Sequence, residues 1–237
     1  MDIADLDIES LNREFEAQPP QEALRWAHET FGSRVAVMTS FQAAGVVIVD
    51  MAQRIAPGFP VFTLDTGFLF LETLDLKRRT EAHYGIEIDS VQPLLTVEAQ
   101  AERYGDALYD RDPDMCCEMR KVEPQRRKLA ELDAWVTGVR REQSKTRTEA
   151  HILERHEVEG RMLIKINPLV HWTKKQVWDY ILGHEVPYNP LYDQGYASIG
   201  CWPCTRPVQA GEDERAGRWA GSNKTECGIH TFTKRAE

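Results

Sequence analysis

Arg34–Ala56 reads RVAVMTSFQAAGVVIVDMAQRIA. Its opening, RVAVMTS, is a short β-branched run that favours an extended chain and ends at Ser40. The following AAGVVIVDMAQRIA has the length and apolar periodicity of a buried helix despite its valines. The segment is therefore a strand, a loop and a helix. The unit then recurs. PVFTLDTG (60–67) is a strand ending at Asp65-Thr66-Gly67, and FLFLETLDLKRRTEAHYG (68–85) is an amphipathic helix closed by Gly85. EIDSVQP (87–93) supplies a third strand.

Working outward, the spacing of Leu24, Ala27, His28 and Phe31 after Pro19-Pro20 predicts a helix over Gln21–Phe31, stopped by Gly32. AWVTGV (134–139) is a strand leading into the basic loop RREQSKTR (140–147), and RMLIKINPL (161–169) is further strand material. TKKQVWDYILGHE (173–185) is a helix capped by Thr173, with Val177, Tyr180 and Ile181 on one face. Alternation of this kind predicts an α/β fold with a mostly parallel central sheet and helices on both faces. We expect one domain over 1–237, in which roughly 195–237, rich in Gly, Cys, Arg and Trp, packs across the sheet edge. In such sheets ligands sit beyond the carboxyl ends of the strands, where SFQAAG (40–45), LDTG (64–67) and GVRREQS (138–144) converge.

Composition narrows the function. The chain has 237 residues, 42% of them hydrophobic, enough for a buried core. No run of about eighteen apolar residues appears, and the acidic start MDIADLDIES lacks the pattern of a signal peptide, so a cytoplasmic protein without membrane contact is expected. A net charge of -9 and a pI near 5.4 argue against nucleic acid as a partner. Any anion must be held by local clusters such as RRKLAELDAWVTGVRREQSKTR (126–147) and GEDERAGRW (211–219), which otherwise read as solvated faces. Oligomeric state, a homo-oligomer included, is left open.

Five cysteines, two of them adjacent, suit a reducing compartment better than a disulfide framework. Cys201-Trp-Pro-Cys204 is a turn that can present two sulfurs inward. Neighbours on a helix point about 100° apart, so Cys116 and Cys117 diverge and suit a wide iron-sulfur cubane better than a compact zinc tetrahedron. Zinc bound by the same four sulfurs stays open. Cys227 is left over. Lys224, Gly228 and His230 around it give it the look of a reactive cysteine, while Glu226 works against its thiolate.

The ordered set CCEMRKVEP, GVRREQSKTR, CWPCTRPV, GEDERAGRW and KTECGIH resembles the assimilatory adenylylsulfate (APS) and phosphoadenylylsulfate (PAPS) reductases, over about Ser40 to His230. The resemblance implies an ATP-pyrophosphatase-like (adenine nucleotide alpha hydrolase-like) fold. The cysteine doublet with CxxC is similar to the branch usually associated with APS, implying a [4Fe-4S] cluster on Cys116, Cys117, Cys201 and Cys204. It also implies nucleotide binding by Ser40, Phe41, Gln42, Leu64, Asp65 and Thr66. The loop Thr39–Ala44 departs from the SGGxDS pattern of ATP-cleaving relatives, so ATP hydrolysis is not expected.

By the same resemblance, Lys121, Arg215 and Arg218 clamp the phosphosulfate. Cys227 attacks sulfur, expels AMP and becomes an S-sulfonate that a separate thioredoxin or glutaredoxin reduces to sulfite. His230 is either a substrate-orienting or proton-transferring group or a bystander. The cluster is expected to act electrostatically beside Lys121 rather than to carry electrons. Arg140, Arg141, Lys145 and Arg147 grip either the phosphate side of the nucleotide or the reductant. PAPS reduction or dual use is the nearest alternative. A tRNA-thiolating enzyme lacks its SGGxDS loop and basic surface, and a zinc-stapled binding module leaves KTECGIH and the paired arginines unexplained.

Overall fold

The structure is a computed structural model describing residues 3–220, 224, 226–230 and 232–236, with Lys145 described by its backbone alone. The first half runs α1 (Ile8–Glu16), α2 (Pro20–Phe31), β1 (Val35–Met38), α3 (Ala43–Ile55), β2 (Val61–Leu64), α4 (Leu71–Tyr84) and β3 (Asp89–Val91). A helical excursion follows: α5 (Val97–Tyr104), α6 (Leu108–Arg111), α7 (Pro113–Cys117), one π-helical stretch (Glu118–Val122) and α8 (Glu123–Leu129). The chain closes with β4 (Ala134–Val136), β5 (Leu153–Val158), β6 (Arg161–Ile166), α9 (Lys174–Gly183) and β7 (Lys234–Arg235).

These strands form one seven-stranded sheet in the order β3-β2-β1-β4-β6-β5-β7. The first five are mutually parallel, and β5 runs antiparallel between β6 and β7. The mostly parallel sheet expected from the alternation is therefore the one observed. Side chains leave a strand on alternate faces, and here both faces are buried. Val35 and Val37, Ala134 and Val136, and Ile164 and Ile166 join the core that includes residues of α1, α2, α3 and α9. Ala36 and Met38, Trp135, and Leu163 join a second core with Leu129 of α8, against which Ile229 and Phe232 pack. No helix among the described residues is long and apolar enough to cross a membrane.

The reading from sequence passed over α1, the helices between 97 and 129, and β5. In β5, LERHEV, two of the four buried positions are polar: Glu154 and His156 are buried beside Leu153 and Val158. A strand whose core face carries charge shows no apolar alternation. The segment beyond 195 is divided between two places. β7 joins the sheet edge against β5, whereas Leu69 bridges Cys201 at the far side of the strand ends.

Helix α3 is buried along most of its length, which places Asp50 wholly inside. Tyr84 Oη donates to its Oδ1 at 2.8 Å, and Tyr180 Oη and Arg54 Nε donate to its Oδ2 at 2.7 Å each. Burial alone would raise the carboxyl pKa, but the bonds from Arg54, Tyr180 and Tyr84 outweigh it and hold the group below its ordinary value. One carboxylate thus ties α3 to α4 and α9.

Asp50→Asn is expected to cost about 2 kcal/mol at pH 7, the scale of hydrogen bonds to a buried charge. Because the folded pKa is depressed, this contribution is complete above the unfolded carboxylate value and is lost as pH falls through the folded one. Denaturant titrations of the two proteins should therefore converge below about pH 4. Equal stability at pH 7 would remove Asp50 from this role.

Candidate active site

Between the end of β1 at Met38 and the start of α3 at Ala43 the chain has four residues in which to reverse. Thr39 Oγ1 accepts the Phe41 N–H at 3.0 Å, and Phe41 takes a left-handed φ of 56°. That conformation is strained for an aromatic residue, and the ring, 1% exposed, is held by the core beneath it. Gln42 then caps α3 without a side-chain bond to its first turn, because its amide oxygen faces Ser198 Oγ and the Ile199 N–H at 3.4 Å each. The Ala43 N–H donates to Tyr192 Oη at 2.9 Å, while the N–H groups of Ala44 and Gly45 meet no acceptor outside the helix among the described residues. A helix start with open donors favours an anion. Gly45 is required here, since a Cβ would stand 2.6 Å from Thr39 Oγ1.

The loop after β2 makes the adjoining wall. Asp65 Oδ1 accepts the Gly67 N–H at 3.1 Å, and Thr66 Oγ1 accepts that of Phe68 at 3.1 Å and meets Cys201 Sγ at 3.3 Å. Arg120 Nη1 donates to the Thr66 carbonyl at 3.0 Å, fastening this loop to the π-helical stretch.

These elements enclose a cavity of about 180 Å3. Ser40, Gln42, Leu64 and Thr66 line it from the strand-end loops, Lys121 from the π-helical stretch and Arg140 from the loop after β4. Arg215, Arg218, Cys227 and His230 line it from the C-terminal segment. Phe41 and Asp65 stand apart, the first with its ring in the core and the second turned into its own loop. Arg147 reaches the cavity, whereas Arg141 is turned to the Ala150 carbonyl at 2.8 Å; the Lys145 side chain lies outside what is described. Thr137 and Gly138 could have been found as the end of AWVTGV. Tyr192 and Ser198, in an aperiodic stretch, offered no signal.

Charge in the cavity is mainly positive. Arg218 is buried; its Nη1 bonds Ser198 Oγ at 3.3 Å, and its guanidinium lies 4.5 Å over the Trp219 ring. Arg147 Nη2 and Arg215 Nη2 each lie 3.2 Å from Glu226 Oε2. Burial opposes the charge on Lys121, but Cys201, Cys227 and Cys117 around it more than offset this and lift its pKa above the ordinary lysine range. His230 has its Nδ1 buried without a partner among the described residues. Burial, with Arg147, Lys165 and Arg215 near it, holds that imidazole neutral, its pKa well below the usual value.

The other four cysteines meet in a smaller pocket at the cavity's edge. Cys116, Cys117, Cys201 and Cys204 all line it, together with Arg120 and Lys121. The doublet lies where α7 widens into the π-helical stretch, and the second pair brackets a 3-10 turn whose Trp202 N–H donates to the Phe68 carbonyl at 2.8 Å. Burial pushes the Cys116 and Cys204 thiols up to about 11. Among the described residues no three His, Cys, Asp or Glu side chains converge tightly enough for a single metal ion. Four sulfurs facing one pocket, with two cations beside them, fit a larger group that spans all four and carries negative charge.

Cys227 does not line that pocket but lies close to it. It is buried against Cys117 and Trp219. Gly228, next to it, takes φ +87°, and a Cβ there would meet Val122 at 2.9 Å. Only glycine lets the tail lie this close to the π-helical stretch.

The phosphoadenosine phosphosulfate reductase domain matches residues 34–207. An adenosine 5'-phosphosulfate reductase of Halalkalibacterium halodurans is 44% identical over 226 residues, covering 95% of this chain and 97% of that one. A phosphoadenosine 5'-phosphosulfate reductase of Gloeobacter violaceus is also 44% identical, over 97% of this chain and 96% of its own. Among solved structures, the phosphoadenylyl-sulfate reductase of Candida auris, a phosphate complex, superposes with a TM-score of 0.74 at 35% identity, over 88% of this chain and 99% of that one.

Gly45→Ala is expected to push Thr39 Oγ1 off the Phe41 N–H and disturb the open start of α3. Calorimetric titration with AMP should show affinity falling roughly tenfold or more, with an unchanged melting profile. Undiminished affinity would mean that the nucleotide phosphate binds elsewhere.

Proposed function

Because the chain belongs to the phosphoadenosine phosphosulfate reductase family, we propose that it reduces adenylylsulfate to sulfite and AMP, with Cys227 as nucleophile and a separate thioredoxin or glutaredoxin as reductant. The observation that carries this reading is the position of Lys121. It is buried at the cavity, within electrostatic reach of Cys117, Cys201, Cys227 and Arg218. A cation so placed serves a reaction in which an anionic sulfuryl group is passed to a thiolate and an anionic phosphate departs.

The substrate's α-phosphate sits at the start of α3, on the N–H groups of Ala44 and Gly45. Lys121, Arg215 and Arg218 face the phosphosulfate. The two arginines present planar forks suited to two oxygens at once, and their charge offsets both the sulfonate and the leaving phosphate. The Cys227 thiolate attacks sulfur. An S–S bond forms, the S–O bond to phosphate breaks, and its electron pair leaves with AMP. An external thiolate then attacks Cys227 sulfur and displaces sulfite, and the second thiol of the reductant frees Cys227 by disulfide exchange. Electrons thus come from the dithiol. His230, neutral and lining the cavity, orients an oxyanion or accepts a proton.

Cys116, Cys117, Cys201 and Cys204 are the residues that would hold a [4Fe-4S] cluster, which when bound supplies a compact charge beside Lys121. The thiol attack needs no electron from it. The choice of adenylylsulfate over its 3'-phosphorylated form rests on the relative named for that substrate and on the cysteine doublet with CxxC.

Cys227→Ser should abolish sulfite release while iron content and visible absorption stay at wild-type levels; loss of iron would overturn the division of roles among the cysteines. Anaerobically purified protein should carry iron and acid-labile sulfide in equal amounts, about four each, and zinc in their place would exclude the cluster. With thioredoxin supplied, turnover at limiting substrate should favour adenylylsulfate over its 3'-phosphorylated form. The reverse preference would reassign the substrate.

A further inference from the structure

The sheet face beneath the C-terminal tail is apolar at Trp135, Val158 and Leu163, yet Glu154, His156 and Lys165 are buried beside them. Burying such groups is costly unless each finds a partner. Here they do. Glu154 Oε2 receives Asn167 Nδ2 at 3.1 Å and stands 3.4 Å from Lys165 Nζ and from His156 Nε2. Its Oε1 receives the His151 N–H at 3.3 Å and lies 3.6 Å from Arg235 Nη1. Despite the burial that opposes it, these contacts hold Glu154 ionised, at a pKa of about 2.

An ionised carboxylate at His156 Nε2 calls for a proton on that nitrogen. Burial keeps the ring neutral, so Nδ1 is the bare nitrogen. It accepts from Thr233 Oγ1 at 2.6 Å. At the other end, Thr137 Oγ1 donates to Asn167 Oδ1 at 2.6 Å, and Thr137 lines the cavity. A hydrogen-bonded line therefore runs from the cavity wall through Asn167, Glu154 and His156 to Thr233, six residues beyond Cys227. Around that bond, Ile229 and Phe232 pack on the same sheet face, and β7 pairs with β5 at His156 and Glu157.

We propose that His156 and Thr233 are positioning residues for the nucleophile. Their hydrogen bond, oriented by Glu154, fixes the register in which the tail lies on the sheet and so sets where Cys227 stands in the cavity. This rests on the reading of Cys227 as nucleophile. An apolar seat alone lets a short strand slip, and one residue of slip along an extended chain is about 3.3 Å. That exceeds the tolerance of a near-attack geometry. A bond from one particular hydroxyl to one ring nitrogen admits a single register.

Thr233→Val keeps the side-chain shape and removes the donor; Thr233→Ser keeps the donor. Each full-length protein is mixed with adenylylsulfate without reductant, and the Cys227 adduct is followed by mass. AMP affinity and the rate of Cys227 alkylation by iodoacetamide are measured alongside. Thr233→Val should slow adduct formation roughly tenfold or more, change the alkylation rate, and leave AMP affinity within about twofold. Thr233→Ser should match wild type in all three. Wild-type adduct formation by Thr233→Val, equal losses in both variants, or a parallel loss of AMP affinity would overturn the proposal. Absence of any adduct on wild-type Cys227 would instead sink the proposed function, and the alkylation rates would still decide the positioning, with wild-type alkylation in Thr233→Val counting against it.

Discussion

A lysine ammonium buried as deeply as that of Lys121 cannot stand without compensation, and most of the site follows from how it is compensated. The charge is carried on a π-helical stretch that directly follows Cys116 and Cys117, and from it Lys121 lines both their pocket and the larger cavity. Cys201 arrives from the far end of the chain by bridging Leu69. Cys227 arrives with the tail, where a glycine permits close approach to Val122. Three separate stretches of sequence thus meet around one cation.

The strand-end geometry solves a second electrostatic problem. Arg140, Arg147, Arg215 and Arg218 converge on a cavity whose nearby acidic groups include Glu226 and Glu214. From the sequence, Glu226 counted against a Cys227 thiolate. Its carboxylate instead sits between Arg147 and Arg215, so its charge is met before it reaches the neighbouring sulfur. The same pairing holds two arginine side chains at the cavity wall.

The parts of the fold that could be read directly were those where local preference and burial agree. RVAVMTS and PVFTLDTG are β-branched runs buried on both faces, and their helices end in ordinary signals such as Gly85 in the left-handed region. β5 could not be read, because two of its four buried positions are Glu154 and His156. Those residues became intelligible only with Lys165, Asn167 and Thr233 in place around them. The site divides in the same way. Its cysteines and cations stand out by residue type and spacing, and they line the cavity and the pocket at its edge. Tyr192 and Ser198 act by holding the backbone and side chains of Ala43, Gln42 and Arg218, and such roles leave no pattern in a sequence.

Polar groups buried in β5 and apolar groups buried in β1 therefore answer different demands. Val35, Val37 and their neighbours hold the sheet together by an effect that depends on area and tolerates exchange of one aliphatic side chain for another. Glu154 and His156 add little that leucine could not add to stability, and buried ionic groups are often matched or exceeded by apolar replacements. What they add is discrimination among registers, because a hydrogen bond is directional and a methyl contact is not. A tail that carries Cys227, the nucleophile in the proposed function, needs that discrimination. The cost of a charged residue in the core is met where the chain has the most to lose from imprecision.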